Sequence, residues 1–180
     1  GVDLTVDGEL DPVLLGAGAV VRTADTTSPR DYQAVTVGAT RSVLAAAGRM
    51  PVPPHVVTIS ICGVDDHPYP YYRAKAEADQ LALSSEVPAT VVRATQFHSL
   101  AAFFARVSTV GPTAFTISGM RIRPVDIGWV GGRLAEIAVG PRPAEARLGP
   151  VLTGPQEYFM TEIATLLARH AGRRRPLALG

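Results

Sequence analysis

The stretch His55-Val56-Val57-Thr58-Ile59-Ser60-Ile61 decides the fold class of this chain. Its β-branched and apolar residues are typical of a strand that is buried on both faces of a parallel sheet. The next residues, 63–68, contain glycine, aspartate and proline and therefore predict a loop. Ser60 is thus expected at the carboxyl end of a strand, the edge at which open α/β sheets bind their ligands.

A tyrosine and a lysine stand four residues apart just beyond this loop. Pro68 and Pro70 disfavour helix before Tyr71, so a helix is predicted from Tyr71 to about Leu83. Tyr71 and Lys75 would then share one face of that helix. A nearby cation favours phenolate over phenol, so Lys75 is expected to lower the pKa of Tyr71 and make it a candidate general acid/base. The alternative is a surface pair that has this spacing by chance.

The serine at the end of the strand is a second candidate for the same site. Ser60 precedes Tyr71 by eleven residues. Its hydroxyl can hydrogen-bond a substrate carbonyl while the tyrosine supplies or removes the proton. The alternative is a strand-end hydroxyl that caps its own turn.

Strand and helix patterns alternate along the chain. Helices are predicted at residues 10–16, 31–47, 71–83, 99–109, 129–139 and 158–170, and strands at 19–23, 55–61, 89–93 and 151–152. Residues 111–127 are expected to be irregular or extended, and no internal repeat or long linker divides the chain. The alternation predicts an α/β fold with a parallel sheet and helices on both faces.

Composition argues against several functional classes. The 180 residues are 47% hydrophobic, enough for the core of one domain, and carry a net charge of +1 that demands no anionic partner. The basic cluster at residues 169–175 could contact nucleic acid, but cations at a helix end are better explained by the helix dipole. The single cysteine, Cys62, fits a reducing cytoplasm and excludes an intrachain disulfide.

No membrane or metal site is indicated either. No apolar run reaches the length of a membrane-spanning helix, and no signal peptide is visible. His67 and His170 are isolated, and no Cys, His and carboxylate spacing suggests a bound metal. The sequence does not indicate an oligomeric state.

Several segments together resemble the atypical short-chain dehydrogenase/reductase family, with its NmrA-like, NAD(P)-binding branch as the best match. The resemblance runs through essentially the whole chain and is more specific in combination than in any one motif. The segments that carry it are residues 3–4, 16–24, 35–41, 57–65, 70–78, 92–98 and 122–127.

The resemblance implies a Rossmann-like domain with a cofactor side and a substrate side. In such enzymes Tyr71 would exchange a proton with the substrate oxygen, Lys75 would bond the nicotinamide ribose, and Ser60 would steady the carbonyl. The residues that match cofactor-side positions are Asp3, Leu4, Ala24, Lys75, Thr95, Gln96 and Phe97. Asp3 could instead be an ordinary loop acid, and Phe97 a core residue. Residues from about 111 to 180 would form a smaller, substrate-side region.

One expected element is missing from the sequence. Enzymes of this family open with a strand and a Gly-x-x-Gly-x-x-Gly turn, whose N–H groups hold the cofactor pyrophosphate. No such turn follows a strand here, and Gly16-Ala17-Gly18 precedes one. The resemblance therefore predicts a sheet that lacks its first βαβ unit, in a chain that is incomplete at the amino end and shortened at the carboxyl end. NADP or NAD is the implied cofactor, with weak or absent binding by this chain.

Two functional hypotheses follow from these expectations. The first is an NAD(P)-dependent oxidoreductase that acts on a small carbonyl or alcohol substrate. The second is a non-catalytic, NmrA-like dinucleotide-binding regulator or a degenerate remnant. The sequence identifies neither the substrate nor the choice between the two nicotinamide cofactors.

Overall fold

The structure is a computed structural model, and it describes residues 2–4, 6, 8–107, 109–110, 113–115, 119–170 and 177–179. Within these ranges, no helix combines the length and the apolar character that crossing a membrane requires. The arginines at 173–175, predicted to be part of a basic cluster, lie outside the described residues.

A four-stranded sheet forms the centre of the fold. Its strands are β1 (Ala19–Arg22), β2 (His55–Ile61), β3 (Ala89–Ala94) and β7 (Arg147–Leu152), in the order β1-β2-β3-β7. β2 pairs in parallel with β1 on one side and with β3 on the other. Val56 and Val57 are fully buried, as the β-branched run at 55–61 predicted. The Rossmann-like parallel sheet expected from the sequence is confirmed.

Helices connect these strands, and short strands pair outside the central sheet. The helices are α1 (Asp11–Leu14), α2 (Ala39–Gly48), α3 (Pro70–Leu83), α4 (His98–Val107), α5 (Ile127–Val139) and α6 (Met160–His170), with a π-helix at Tyr32–Gly38 and a 3₁₀-helix at Val64–Asp66. The short strands are β4 (Thr109–Val110), β5 (Thr113–Phe115), β6 (Arg121–Ile122), β8 (Tyr158–Phe159) and β9 (Leu177–Leu179). They form two small sheets, β4-β5-β9 and β6-β8.

Several local expectations were wrong. Tyr158 and Phe159, placed in the last helix, form β8 instead. The helix predicted at 31–47 begins instead as a π-helix that becomes α2 at Ala39. Pro70 was expected to precede the helix but is its first residue, because the first helical position needs no N–H and suits the fixed φ of proline. Thr109 was placed in a helix but lies in β4.

The described chain separates into two compact units. One comprises Gly1–Ala94 with Gly131–Val151, and the other comprises Thr95–Val130 with Leu152–Gly180. The core of the first unit is built mainly from α1, α2, β2, α3 and β3 and includes Leu14, Val43, Val56, Ala82 and Val91. The core of the second unit lies between α4, β6 and α6 and includes Ala101, Ala105, Ile122, Met160 and Ala164.

Close packing of β7 against β3 gives a test of the sheet order. A Cβ atom added to Gly149 would stand 2.7 Å from Thr90 Cγ2 and 3.1 Å from Val92 Cγ2. We expect Gly149→Ala to lower the free energy of unfolding by about 1–3 kcal/mol, because the strands must move apart. In Gly131→Ala, the control within α5, the new Cβ meets nothing within 4 Å, and helix propensity favours alanine by about 1 kcal/mol. Urea denaturation measures both, and equal effects would contradict the β3–β7 packing.

Candidate functional site

One carboxylate joins the two residues that the sequence singled out. Asp25 lies three residues beyond the end of β1, at the carboxyl edge of the sheet. Tyr71 Oη donates a hydrogen bond to Asp25 Oδ2 at 3.0 Å, and Lys75 Nζ donates to the same oxygen at 3.0 Å. The structure therefore brings the phenol and the ammonium together on one acceptor, as their spacing on α3 allows.

The lysine is buried and also tied to the central sheet. Its side chain is 4% exposed, and Nζ donates a second hydrogen bond to the carbonyl oxygen of Ile59 in β2 at 2.9 Å. A buried ammonium requires a counter-charge, and Asp25 supplies it. Lys75 thus links α3 both to β2 and to the loop after β1.

Asp25 accepts two further hydrogen bonds through its other oxygen. Thr36 Oγ1 donates to Oδ1 at 2.6 Å, and the backbone N–H of Thr26 donates to Oδ1 at 2.9 Å. Burial by itself would raise the pKa of Asp25. The positive charge of Lys75 and the hydrogen bonds from Thr36, Lys75 and Thr26 outweigh burial, and the pKa is lowered from its ordinary value.

The pKa of Tyr71 is raised, and the expectation that it would be lowered is wrong. Burial is the largest cause, and the negative charge of Asp25 and the hydrogen bond to it act in the same direction. The expectation counted the cation at Lys75 but not the anion that lies between the two residues. With Asp25 present, ionisation of Tyr71 would place a phenolate beside a carboxylate.

The neighbouring tyrosine has a different environment. Tyr72 stacks on His67, with ring centroids 4.3 Å apart, and meets the Tyr71 ring edge-on. On its other side the Tyr71 ring contacts Tyr32, with centroids 5.3 Å apart. Tyr71 is therefore the phenol in this pair that reaches Asp25.

A buried arginine holds the π-helix that carries Thr36. Arg22 is 4% exposed, and its Nη2 donates to the carbonyl oxygens of Val35 at 3.1 Å and Thr36 at 2.8 Å. These two bonds give the buried guanidinium its hydrogen-bond acceptors. By fixing the backbone at Thr36, Arg22 helps to aim the threonine hydroxyl at Asp25.

Ser60 lies beside a second acidic group, Asp79 on α3. The Ser60 side chain is buried, and its Oγ lacks a hydrogen-bond partner of full geometry among the described residues. Burial raises the pKa of Asp79, although the Ser60 hydroxyl is near enough to oppose that shift, as does Arg93. Arg93 Nε donates to Asp79 Oδ2 at 3.1 Å, and its two terminal nitrogens bind Asp65. The role of Ser60 on a substrate stays a prediction.

The predicted cofactor residues of the first unit have mainly structural contacts. The backbone N–H of Asp3 donates to Glu9 Oε2 at 2.9 Å, and Leu4 packs against the core. Ala24 is exposed and directly precedes Asp25. Their roles toward a cofactor stay predictions.

The remaining predicted cofactor residues belong to the second unit. Thr95 Oγ1 donates to the carbonyl oxygen of Arg123 at 2.5 Å, and the carbonyl of Gln96 accepts from the N–H of Val125 at 2.9 Å. Phe97 forms a parallel bridge with Val125. These bonds fix the loop after β3, and its role beside a nicotinamide also stays a prediction.

Asp25 and Thr36 are the site residues that sequence reasoning missed. Asp25 was assigned no role, and Thr36 fell within the helix predicted at 31–47. A signal was present, because an acid directly after a strand of a parallel sheet lies at the ligand-binding edge. The partner of that acid could not be found from spacing, since Tyr71 is 46 residues away.

Comparison with solved structures shows a Rossmann-type fold. The chain is similar to DesIV, a dTDP-glucose 4,6-dehydratase from Streptomyces venezuelae with NAD bound: TM-score 0.76, 18% identity, 98% of this chain and 65% of that one. RMD from Pseudomonas aeruginosa, complexed with NADPH, gives a TM-score of 0.71 at 18% identity. The match covers 99% of this chain and 73% of that one. The triphenylmethane reductase of a Citrobacter species, complexed with NADP(H), gives a TM-score of 0.73 at 14% identity. The match covers 97% of this chain and 61% of that one.

These three neighbours are solved with NAD, NADPH or NADP(H) bound. At such low identity the likeness shows the fold alone. The chain spans 65% of the length of DesIV and 61% of the length of the reductase. No protein-family model and no curated protein sequence matches the chain.

The lowered pKa of Asp25 predicts how the stability of the folded chain depends on pH. An unfolded aspartate titrates near pH 4, so Asp25 stabilises the fold above that value and loses this contribution as pH falls through its lower, folded-state pKa. We expect Asp25→Asn to cost about 1–2 kcal/mol at pH 7, allowing for partial exposure, and clearly less at pH 3. Urea denaturation at several pH values measures the difference.

An exposed aspartate provides the matched control. Asp31 makes no capping hydrogen bond with its side chain at the start of the π-helix, so Asp31→Asn should change stability little at any of these pH values. A cost for Asp25→Asn that is the same at pH 3 and pH 7 would show that the charge of Asp25 does not contribute.

Proposed function

We propose that this chain is part of an NAD(P)-dependent oxidoreductase of the atypical short-chain dehydrogenase/reductase type, acting on a small carbonyl or alcohol substrate. The proposal depends on one observation: the Tyr71 hydroxyl and the Lys75 ammonium meet on a single carboxylate oxygen at the carboxyl edge of the sheet. The fold of the structural neighbours, several of them crystallised with NAD or NADPH, supports it.

The site fits the ribose on the nicotinamide side of such a cofactor. Two hydrogen bonds use two of the three N–H donors of Lys75, which leaves one for a ribose hydroxyl. For the pyrophosphate the sequence contains no Gly-x-x-Gly-x-x-Gly turn after a strand. The residues of this chain therefore match only part of the dinucleotide.

Each residue of the site has a distinct task in this proposal. Bound nicotinamide supplies or accepts a hydride, and Tyr71 Oη exchanges a proton with the substrate oxygen. Lys75 binds and orients the ribose, and Ser60 steadies the substrate carbonyl. Residues of about 111–180 form the substrate side, and the protein works in the cytoplasm.

A second candidate is a non-catalytic, NmrA-like dinucleotide-binding regulator. The hydrogen bond from Tyr71 to Asp25 favours it, because a base that must first ionise beside a carboxylate is a poor one. Both candidates require binding, but only the oxidoreductase requires the Tyr71 hydroxyl for turnover. Turnover that is lost when the Tyr71 hydroxyl is removed would therefore distinguish the oxidoreductase from the regulator.

Calorimetric titration tests the proposed ribose site. We expect reduced nicotinamide mononucleotide and NADPH to bind this chain with similar, weak affinities, with dissociation constants on the order of 1 mM. The reason is that Lys75 engages the ribose, while the chain offers no turn for the pyrophosphate. Lys75→Met should abolish binding of both, and Tyr71→Phe should preserve it while removing any turnover of carbonyl compounds.

The control is Arg73→Met, which removes an exposed cation from the same helix and should leave binding unchanged. Unaltered binding by Lys75→Met would contradict the proposal. So would tight binding of NADPH alone, because that would require a pyrophosphate site elsewhere. Binding with no turnover in the parent chain would favour the regulator.

A further inference from the structure

The strongest unassigned feature of the molecule is the position of Asp25 at the proposed site. Nothing in the sequence resemblance gives this residue a role. Yet its carboxylate accepts hydrogen bonds from the Tyr71 hydroxyl, the Lys75 ammonium, the Thr36 hydroxyl and the Thr26 N–H. A side chain with four donors, two of them from the proposed catalytic pair, is built into the site.

The charged and titratable groups around Tyr71 come from three segments besides its own helix. The groups that face it are Asp25 in the loop after β1, Arg22 in β1, Tyr32 in the π-helix, and Tyr72 and Lys75 in α3. Lys75 and Asp25 form an ion pair, so the positive charge of one is neutralised by the negative charge of the other. Arg22 directs its Nη2 to backbone carbonyls instead of the phenol. The group in direct contact with the Tyr71 hydroxyl is thus the anion.

We propose that Asp25 is a positioning residue that holds Tyr71 as a protonated phenol, so that the site gives a proton to a substrate oxygen and does not remove one near neutral pH. The geometry supports this because the Tyr71 hydroxyl has Asp25 as its acceptor, and because the cation that would stabilise a phenolate is already paired. Burial and the charge of Asp25 both raise the pKa of Tyr71, in agreement with this arrangement.

This inference rests on the proposed function and refines it by assigning a direction. A carbonyl whose carbon has accepted a hydride bears negative charge on its oxygen. The Tyr71 hydroxyl leaves Asp25 for that oxygen, its O–H bond breaks and its proton joins the oxygen; the phenolate left beside Lys75 then takes a proton from water and releases hydroxide. Oxidation of an alcohol would need Tyr71 as phenolate beforehand, which Asp25 opposes. Near neutral pH the resting site therefore holds Tyr71 in the protonation state that carbonyl reduction uses.

Titration of the tyrosines by NMR tests the inference without any cofactor. The chain has five tyrosines, and ¹³Cζ labelling follows each phenol, with the signal of Tyr71 identified by its loss in Tyr71→Phe. In the unaltered chain Tyr71 should ionise above the ordinary tyrosine range near pH 10, because burial and the charge of Asp25 raise its pKa. In Asp25→Asn, which keeps the shape but loses the charge, the Tyr71 titration should move down by about one to three pH units.

The control variant for this titration is an exposed aspartate, Asp31. Asp31→Asn makes the same chemical change at an exposed position and should leave the titration of Tyr71 in place. A purely structural role for Asp25 would change stability without selectively shifting Tyr71. The inference is wrong if Tyr71 in the unaltered chain ionises at or below the ordinary tyrosine value of about 10, a result that needs no folded variant. It is also wrong if Asp25→Asn folds and leaves Tyr71 in place. Neither result depends on whether nucleotide binds.

Discussion

The ion pair between Asp25 and Lys75 is the interaction on which the site depends. Lys75 is buried in α3, and an ammonium in such a position is costly without a counter-charge. Asp25 provides that charge from the loop after β1, and it also collects the hydroxyls of Tyr71 and Thr36. The loop after β1, the π-helix and α3 therefore meet at one carboxylate.

A tyrosine and a lysine at this spacing do not by themselves define a general base. The lysine can stabilise a phenolate only while its charge is not already neutralised by a nearer anion. In this chain a carboxylate bridges the pair, and burial acts in the same direction, so the phenol keeps its proton. The same two residues therefore favour different proton chemistry according to the third group between them.

Features encoded by local sequence were predictable, and contacts distant in sequence were not. The β-branched run of β2 predicted a strand, and the prolines before Tyr71 predicted the start of α3 to within one residue, because both depend on neighbouring residues. The π-helix was missed because its apolar spacing resembles that of an α-helix. The contact between Asp25 and Lys75 spans 50 residues, and only the fold brings the two together. The two carbonyl partners of Arg22, 13 and 14 residues away, were not foreseeable for the same reason.

The ion pair can be measured directly because Lys75 is the only lysine in the sequence. Selective ¹⁵N labelling of lysine then gives one side-chain ammonium signal, whose protons report their exchange with water. Buried and bonded to Asp25 and Ile59, these protons should exchange about tenfold or more slowly than those of a free lysine, and Asp25→Asn should remove much of that protection. Fast exchange in the unaltered chain that Asp25→Asn does not change would contradict the ion pair and the site built on it.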